Sequence, residues 1–235
     1  MISPKYKLDI DYEALLGKAW VRALNPLLIS EYMTNLMYFI NESYKVQRIS
    51  PNKIRVFDSF FYCPITDLQV VILGKEPYFT SHATGLAFGN DDKVGQNFSP
   101  ELVKILETIE EQINNGLRIN MEPTLEFWEY AGVLLLNSAL TVQDGKPGSH
   151  LEYWRNFTRE VIKTISKNKT NIIFCLWGEE AQYFKQYINE DKHFIFECES
   201  PTKAVEEDRK WNCNHFVEIN KLIAKINGPD CCIPW

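Results

Sequence analysis

Four residues able to handle a flat ring stand where apolar runs give way to loops in this chain of 235 residues. Val70-Val-Ile-Leu-Gly-Lys-Glu-Pro-Tyr78 passes from β-branched residues into a tight Gly/Pro loop that carries Lys75, Glu76 and Tyr78. Gly85-Leu-Ala-Phe88 supplies a second aromatic, and Leu134-Leu-Leu-Asn137 ends another apolar run on an amide. Together they could stack a heterocycle, read its edge and direct water at a bond to it. Tyr78 and Phe88 either clamp such a ring or fill core, where aromatics are common. Asn137 offers a donor and an acceptor on one amide, or else caps the loop that follows its strand. Glu76 is the only acidic residue of its loop. It is either the group that orients or activates water or a solvated carboxylate. Lys75 contacts a ligand or phosphate, pairs with a carboxylate, or is a plain surface cation. His150, in Gly148-Ser149-His150, either hydrogen-bonds a phosphate or orients the Asn137 loop.

The elements that must hold these residues follow from periodicity. Gln69–Leu73 is a short apolar run closed by Gly74, as expected of a strand buried on both faces. Further strands are expected at Val133–Leu136, Asn171–Leu176 and His193–Glu197. Helical patterns separate them. Ser99-Pro100 gives an N-cap with proline at the first helical position, ahead of a stripe of Leu102, Ile105, Leu106, Ile109 and Ile113. Trp154, Phe157, Val161, Ile162 and Ile165 mark another helix, Ala181, Phe184 and Ile188 a third, and Phe216, Ile219, Leu222 and Ile223 the last. Residues from about Asp11 to Glu42 read as helical, Pro51-Asn52 breaks that run, and Val56–Phe61 leads toward the first core strand. Alternating strands and helices predict an α/β fold, a three-layer sandwich around a short, mainly parallel central sheet. Ligands bind such folds beyond the carboxyl ends of the strands, where the loops after Leu73, Leu136, Leu176 and Glu197 all lie. A single domain over 1–235 is expected, with residues 1–50 as its helical N-terminal part.

Composition narrows the classes. No apolar run is long enough to span a membrane, and Met1-Ile-Ser-Pro-Lys5 lacks the pattern of a signal peptide. An intracellular, soluble monomer is the expectation. The net charge of −6 argues against a protein that coats nucleic acid, though not against a local basic groove. Six cysteines lie without a CxxC pair. Their spacing suggests no metal site, so no metal or other cofactor is expected. Cys175 reads as a buried small hydrophobe.

The motifs resemble those of family-1 uracil-DNA glycosylases, in order and over nearly the whole chain. Val71-Ile-Leu-Gly-Lys-Glu-Pro-Tyr-Phe79 is similar to the family's GQDPYH loop after its strand. Gly132-Val-Leu-Leu-Leu-Asn137, with Leu140-Thr-Val142 and Ser149-His150, is similar to the base-reading segment. Phe174-Cys-Leu-Trp-Gly178 with Ala181-Gln182 resembles FLLWGxxAQ, Cys213-Asn-His-Phe216 with Asn220 resembles CRHF…N, and Ile233-Pro-Trp235 resembles the PIDW ending. The resemblance implies a DNA-repair enzyme that flips a nucleotide out of DNA and hydrolyses the bond between uracil, or a related pyrimidine, and deoxyribose. Asn137 would read O4 and N3–H, Phe88 would stack, Tyr78 would exclude a 5-methyl group, and Lys75 would lie at the base. Ser99, His150, Ser200, Thr202 and Lys203 fall on the family's DNA-contacting segments.

Several chemistry-bearing positions depart from the pattern. Lys75 stands for the family's Gln, Glu76 for its catalytic Asp and Phe79 for its His. In Cys198-Glu-Ser-Pro-Thr-Lys203, matched to HPSPLS, Cys198 replaces the His that bonds uracil O2, and Thr202 replaces the Leu wedged into the duplex. Glu101 replaces a neutral residue near the path of a phosphate. Losing one donor to a developing oxyanion costs about a hundred- to a thousand-fold in rate. Moving a carboxylate by about 1 Å costs about a hundredfold. Combined, ordinary uracil excision would fall by roughly four to five orders of magnitude, although such losses seldom simply multiply. Glu76 and Cys198 are the catalytic candidates of a glycosylase with weakened or altered chemistry. That reading is preferred because a chain freed from base recognition has little need of Asn137 and Phe88. The alternative is an inactive glycosylase fold kept as a DNA-binding or protein-partner module.

Overall fold

Runs of β-branched and leucine residues bounded by Gly, Pro or Asn become strands here, and amphipathic stripes between them become the covering helices. The computed structural model describes residues 10–79, 82–91, 98–113, 115–117 and 122–235; the leader reading at residues 1–5 lies outside them. Helices α1 (Tyr12–Leu16), α2 (Lys18–Leu28) and α3 (Glu31–Val46) precede strand β1 (Ile49–Ser50) and helix α4 (Asp58–Tyr62). Strand β2 (Val70–Gly74) is followed by α5 (Pro100–Gln112), α6 (Glu126–Tyr130), β3 (Val133–Asn137) and β4 (Val142–Gln143). Then come α7 (Leu151–Asn168), β5 (Ile173–Trp177), α8 (Glu179–Gln182), β6 (Phe194–Cys198), α9 (Pro201–Glu206) and α10 (His215–Asn227).

The main sheet has the order β3-β2-β5-β6, with all pairs parallel. Alternate residues of its strands serve two cores, because successive side chains point to opposite faces. Val71, Leu73, Leu134, Leu136, Phe174 and Leu176 pack against α1–α3 and α7. Val70, Ile72, Val133, Leu135, Ile173 and Cys175 pack against α5, α6 and α10. This is the expected three-layer α/β sandwich.

Local differences have simple causes. The expected N-terminal helix is three helices, interrupted at Gly17 (φ +78°) and at Ser30, whose hydroxyl accepts the N–H of Met33 to cap α3. Val56–Phe61 does not extend toward β2 but turns into α4, burying Val56, Phe57 and Phe60 in one core. The Ala181–Ile188 pattern is one α turn followed by a 3₁₀ segment over Tyr183–Tyr187. Ser99 caps α5 as expected, accepting from Leu102 N. The N-terminal helices belong to the same core as the sheet: Trp20 is fully buried and donates its indole N–H to the Cys63 carbonyl at 2.8 Å.

Candidate active site

Because every strand of the main sheet runs the same way, the loops after β2, β3, β5 and β6 share one end. Hydrogen bonds join two of them. Ser138 N and Oγ both donate to the Gly74 carbonyl at 2.9 Å, and Ala139 N donates to that of Lys75 at 2.9 Å. From α7, Thr158 holds the Ser138 carbonyl, while Trp154 Nε1 donates to Thr141 Oγ1 at 2.7 Å. His150 Nδ1 lies 2.8 Å from the same hydroxyl, and its ring is buried. Burial also lowers its pKa. The geometry favours the loop-orienting role of His150 over a phosphate contact.

Phe88 is placed by the outer, buried edge of β3. Ala87 N donates to the Leu135 carbonyl at 2.9 Å, and the Leu135 N–H is taken by the buried carboxylate of Glu129 at 2.7 Å. Phe88 then adopts φ +65°, an uncommon conformation for a bulky residue, and its half-buried ring stands 5.3 Å from that of Trp177. Gly74 is the floor between the two candidate base-contacting groups. A Cβ there would lie 2.8 Å from Asn137 Oδ1 and 3.3 Å from Phe88 Cε2. Asn137 is itself buried, and its Nδ2 has no hydrogen-bond partner among the described residues. A buried donor left unpaired costs stability, so this amide is arranged for something other than the fold.

Glu76 points into the joined loops. Its carboxylate oxygens lie 3.0 and 2.8 Å from Gly148 N, and Lys75 Nζ is 3.8 Å away. Its side chain is only 8% exposed whereas that of Lys75 is 51% exposed. Burial raises the Glu76 pKa, the Gly148 N–H and the Lys75 charge pull it down, and Glu180 pushes it up; the net shift is upward. Tyr78 is held by its hydroxyl. Ser99 Oγ donates to it, and Glu101 also bonds it; burial, first of all, pushes the phenol pKa up. The Ser99 hydroxyl, bonding both Tyr78 and Leu102 N, faces inward and positions Tyr78. Phe79 is exposed.

Cys198 ends β6 beside Trp177 of β5. Ser200 caps α9, accepting from Thr202 N at 3.1 Å, and Thr202 and Lys203 are exposed. Arg209 grips Glu199 with two bonds of 2.5 and 2.6 Å, and Trp211 Nε1 donates to the Glu199 carbonyl at 3.0 Å, which fixes this rim. The spacing of the cysteines conceals a further grouping, Cys198 with Cys213 and His215. Burial opposes a charge on Cys213, but hydrogen bonds from Cys198 and His215 outweigh it and bring its pKa to about 6. The Cys198 thiol donates to the Glu199 carbonyl at 3.3 Å, and its interaction with Cys213, with burial, pushes its pKa up. Motif reading singled out neither the grouping nor Trp177, Gly148 and Gly74 as site residues; Gly74 and Trp177 end strands β2 and β5, the one signal that could have marked them, while Gly148, Cys213 and His215 carry none.

A parallel α/β sandwich thus gathers a half-buried aromatic ring, an unpartnered amide and a buried carboxylate at one end of its strands. Residues 60–224 match the model of the uracil DNA glycosylase superfamily. The uracil-DNA glycosylase of Borreliella burgdorferi (strain ZS7) is 37% identical over 216 residues, covering 89% of this chain and 94% of its own length. That of Fusobacterium nucleatum subsp. nucleatum is 32% identical over 218 residues, with 92% and 94% covered. The crystal structure of mimivirus uracil-DNA glycosylase superposes with a TM-score of 0.79 at 22% identity, over 93% of this chain and 87% of that one. A variant of the mimivirus protein in complex with UGI gives 0.81 at 22% identity, over 93% and 89%. The chain belongs to the uracil DNA glycosylase superfamily.

Proposed function

We propose that this protein is a family-1-type uracil-DNA glycosylase that hydrolyses the bond between uracil and deoxyribose with altered chemistry. The observation that carries the reading is the unpartnered, buried Nδ2 of Asn137 beside Phe88 above Gly74. Uracil O4 would satisfy that donor, Asn137 Oδ1 would accept N3–H, and Phe88 would stack on the ring. Extrusion into this crevice is required because the reacting atoms are unreachable inside a duplex. The relatives named uracil-DNA glycosylase support the same substrate class.

In this reading the glycosidic bond breaks with its electron pair leaving on the base, and the sugar takes on oxocarbenium character. Glu76 orients the water whose oxygen bonds to the sugar carbon and takes up the proton that the water loses as it does so. Tyr78, fixed by Ser99 and Glu101, fills the space a 5-methyl group would need. Cys198 occupies the place of the family's donor to O2, and a neutral thiol is a weak donor. Lys75, next to Glu76, adds a positive charge where the base becomes anionic. Ser200, Thr202 and Lys203 form the rim toward DNA. The N-terminal helices α1–α3 and the sheet act as one unit, since they share one core.

The test is release of base from single-stranded oligonucleotides carrying uracil or thymine, read as alkali-labile abasic sites. Uracil-dependent cleavage that is lost in Asn137→Ala is expected. A protein that binds the oligonucleotide yet leaves every base in place at all pH values overturns this reading in favour of an inactive DNA-binding module.

A further inference from the structure

Two sulfurs and an imidazole converge at the β6 end of the crevice from two separate segments. Cys198 closes β6, while Cys213 and His215 flank the start of α10, and their ligand atoms all lie within 4.8 Å of one another. Cys213 and His215 are each only 4% exposed, while Cys198 is half-buried and forms the open side. None of the three sits in a pattern that sequence spacing would flag, since the approach of β6 to the turn before α10 is a product of the fold.

We propose that Cys198, Cys213 and His215 bind a thiophilic divalent ion, zinc(II), through three protein ligands with a fourth position open toward the crevice. Two thiolates and one histidine are a donor set that zinc accepts in tetrahedral sites, and three protein ligands leave room for water. Soft sulfur ligands exclude magnesium and calcium. Donor atoms within 4.8 Å need only a small closure to reach a common ion, since zinc–sulfur and zinc–nitrogen bonds of roughly 2.0–2.3 Å set the ligand spacing.

His215 already has one partner: Trp177 Nε1 donates to its Nδ1 at 3.0 Å. That nitrogen carries no proton, so the ring proton sits on Nε2, the nitrogen left to face Cys213. An ion taken up at Nε2 moves that proton to Nδ1 and takes from the Trp177 N–H its acceptor, and Trp177 stands 5.3 Å from Phe88 between ring centroids. Occupancy of the site is felt at Phe88, and a change in the tryptophan emission of the protein reports it.

The experiment uses full-length protein, reduced and freed of metal with a chelator, in a Cys231→Ser/Cys232→Ser background that removes the neighbouring thiol pair. Cobalt(II) is titrated anaerobically, then displaced with zinc(II). One equivalent per chain is expected, giving sulfur-to-cobalt charge-transfer absorption, intense tetrahedral visible bands and a change in tryptophan emission. Cys198→Ser and Cys213→Ser, checked for fold by circular dichroism, should each weaken binding by more than about tenfold. Cys198→Ser changes a half-exposed side chain, so it keeps the test valid should Cys213→Ser not fold. Absence of the bands, or their persistence in Cys198→Ser, overturns the proposal. Quantitative formation of a Cys198–Cys213 disulfide in air, with no cobalt uptake by the reduced protein, also overturns it. Binding is read without excision, so a protein inactive on uracil would sink the glycosylase reading and leave this one standing.

Discussion

Both carboxylate oxygens of Glu76 face a single backbone N–H, that of Gly148, at 3.0 and 2.8 Å. The loop after β2 is thereby tied to the turn that leads into α7, and the carboxylate is fixed in direction. Burial raises its pKa, while Gly148 and Lys75 act against that rise.

A base that must be ionised works only above its pKa. Uracil excision should therefore fall on the acid side at a higher pH than an ordinary glutamate would give. Lys75→Met removes a charge that lowers the Glu76 pKa, so the acid limb should move to still higher pH. The profile of kcat/KM against pH checks this, and an unmoved or lowered limb would contradict the role of Glu76.

Asn137→Ala separates base reading from loop capping. With Nδ2 unpartnered in the fold, removing it relieves a buried unsatisfied donor, so thermal stability should hold or rise slightly. Excision should drop by about a hundred- to a thousand-fold, as for other lost polar contacts to a reacting group. A large loss of Tm would point to capping instead.

Gly74→Ala places a methyl group 2.8 Å from Asn137 Oδ1 and 3.2 Å from Ala87 Cβ. Overpacking of this kind costs about 1–3 kcal/mol. Displacement of the amide by about 1 Å should cost about a hundredfold in kcat/KM. Denaturant unfolding and single-turnover kinetics measure the two effects separately.

Glu76→Asp with Cys198→His tests whether only chemistry was weakened. The shorter carboxylate leaves the Gly148 N–H and takes the family's reach, and the imidazole restores a strong donor to the leaving base. Excision should rise by several orders of magnitude, about a hundredfold or more from each change. Adding Thr202→Leu on the exposed rim should help on duplex but not on single strands, because a wedge matters only where a base must leave a stack. An inactive double mutant that still folds and binds DNA would mean that Lys75 or Phe79 has reshaped the pocket for another ligand.

Trp20→Ala probes whether the N-terminal helices belong to one folding unit with the sheet. A fully buried tryptophan that also donates to Cys63 should cost about 3–5 kcal/mol on truncation. Calorimetry should show one transition moved to lower temperature. Two transitions would separate the helices from the rest.

The sequence by itself determined the sheet and placed the candidate site residues in the loops at its strand ends. Val70–Gly74 and Val133–Asn137 are too apolar to face water on either side, so they had to be buried parallel strands with their loops at one end. Ser99-Pro100 fixed the start of α5 by local hydrogen bonding alone. Tertiary structure decided what each side chain meets. Ser99 falls on a segment that the resemblance assigns to DNA, and in the fold its hydroxyl bonds Tyr78; His150 could bond a phosphate or orient its loop, and its ring is buried on Thr141. Val56–Phe61 carries residues at home in a strand, yet the core beneath α7 takes Phe57, which caps α4, and Phe60 within it. The meeting of Cys198 with Cys213 and His215 left no trace in spacing. Strand and cap signals are local and survive in the linear chain, whereas partners are chosen by how β6 and α10 pack over the sheet, which no short segment encodes.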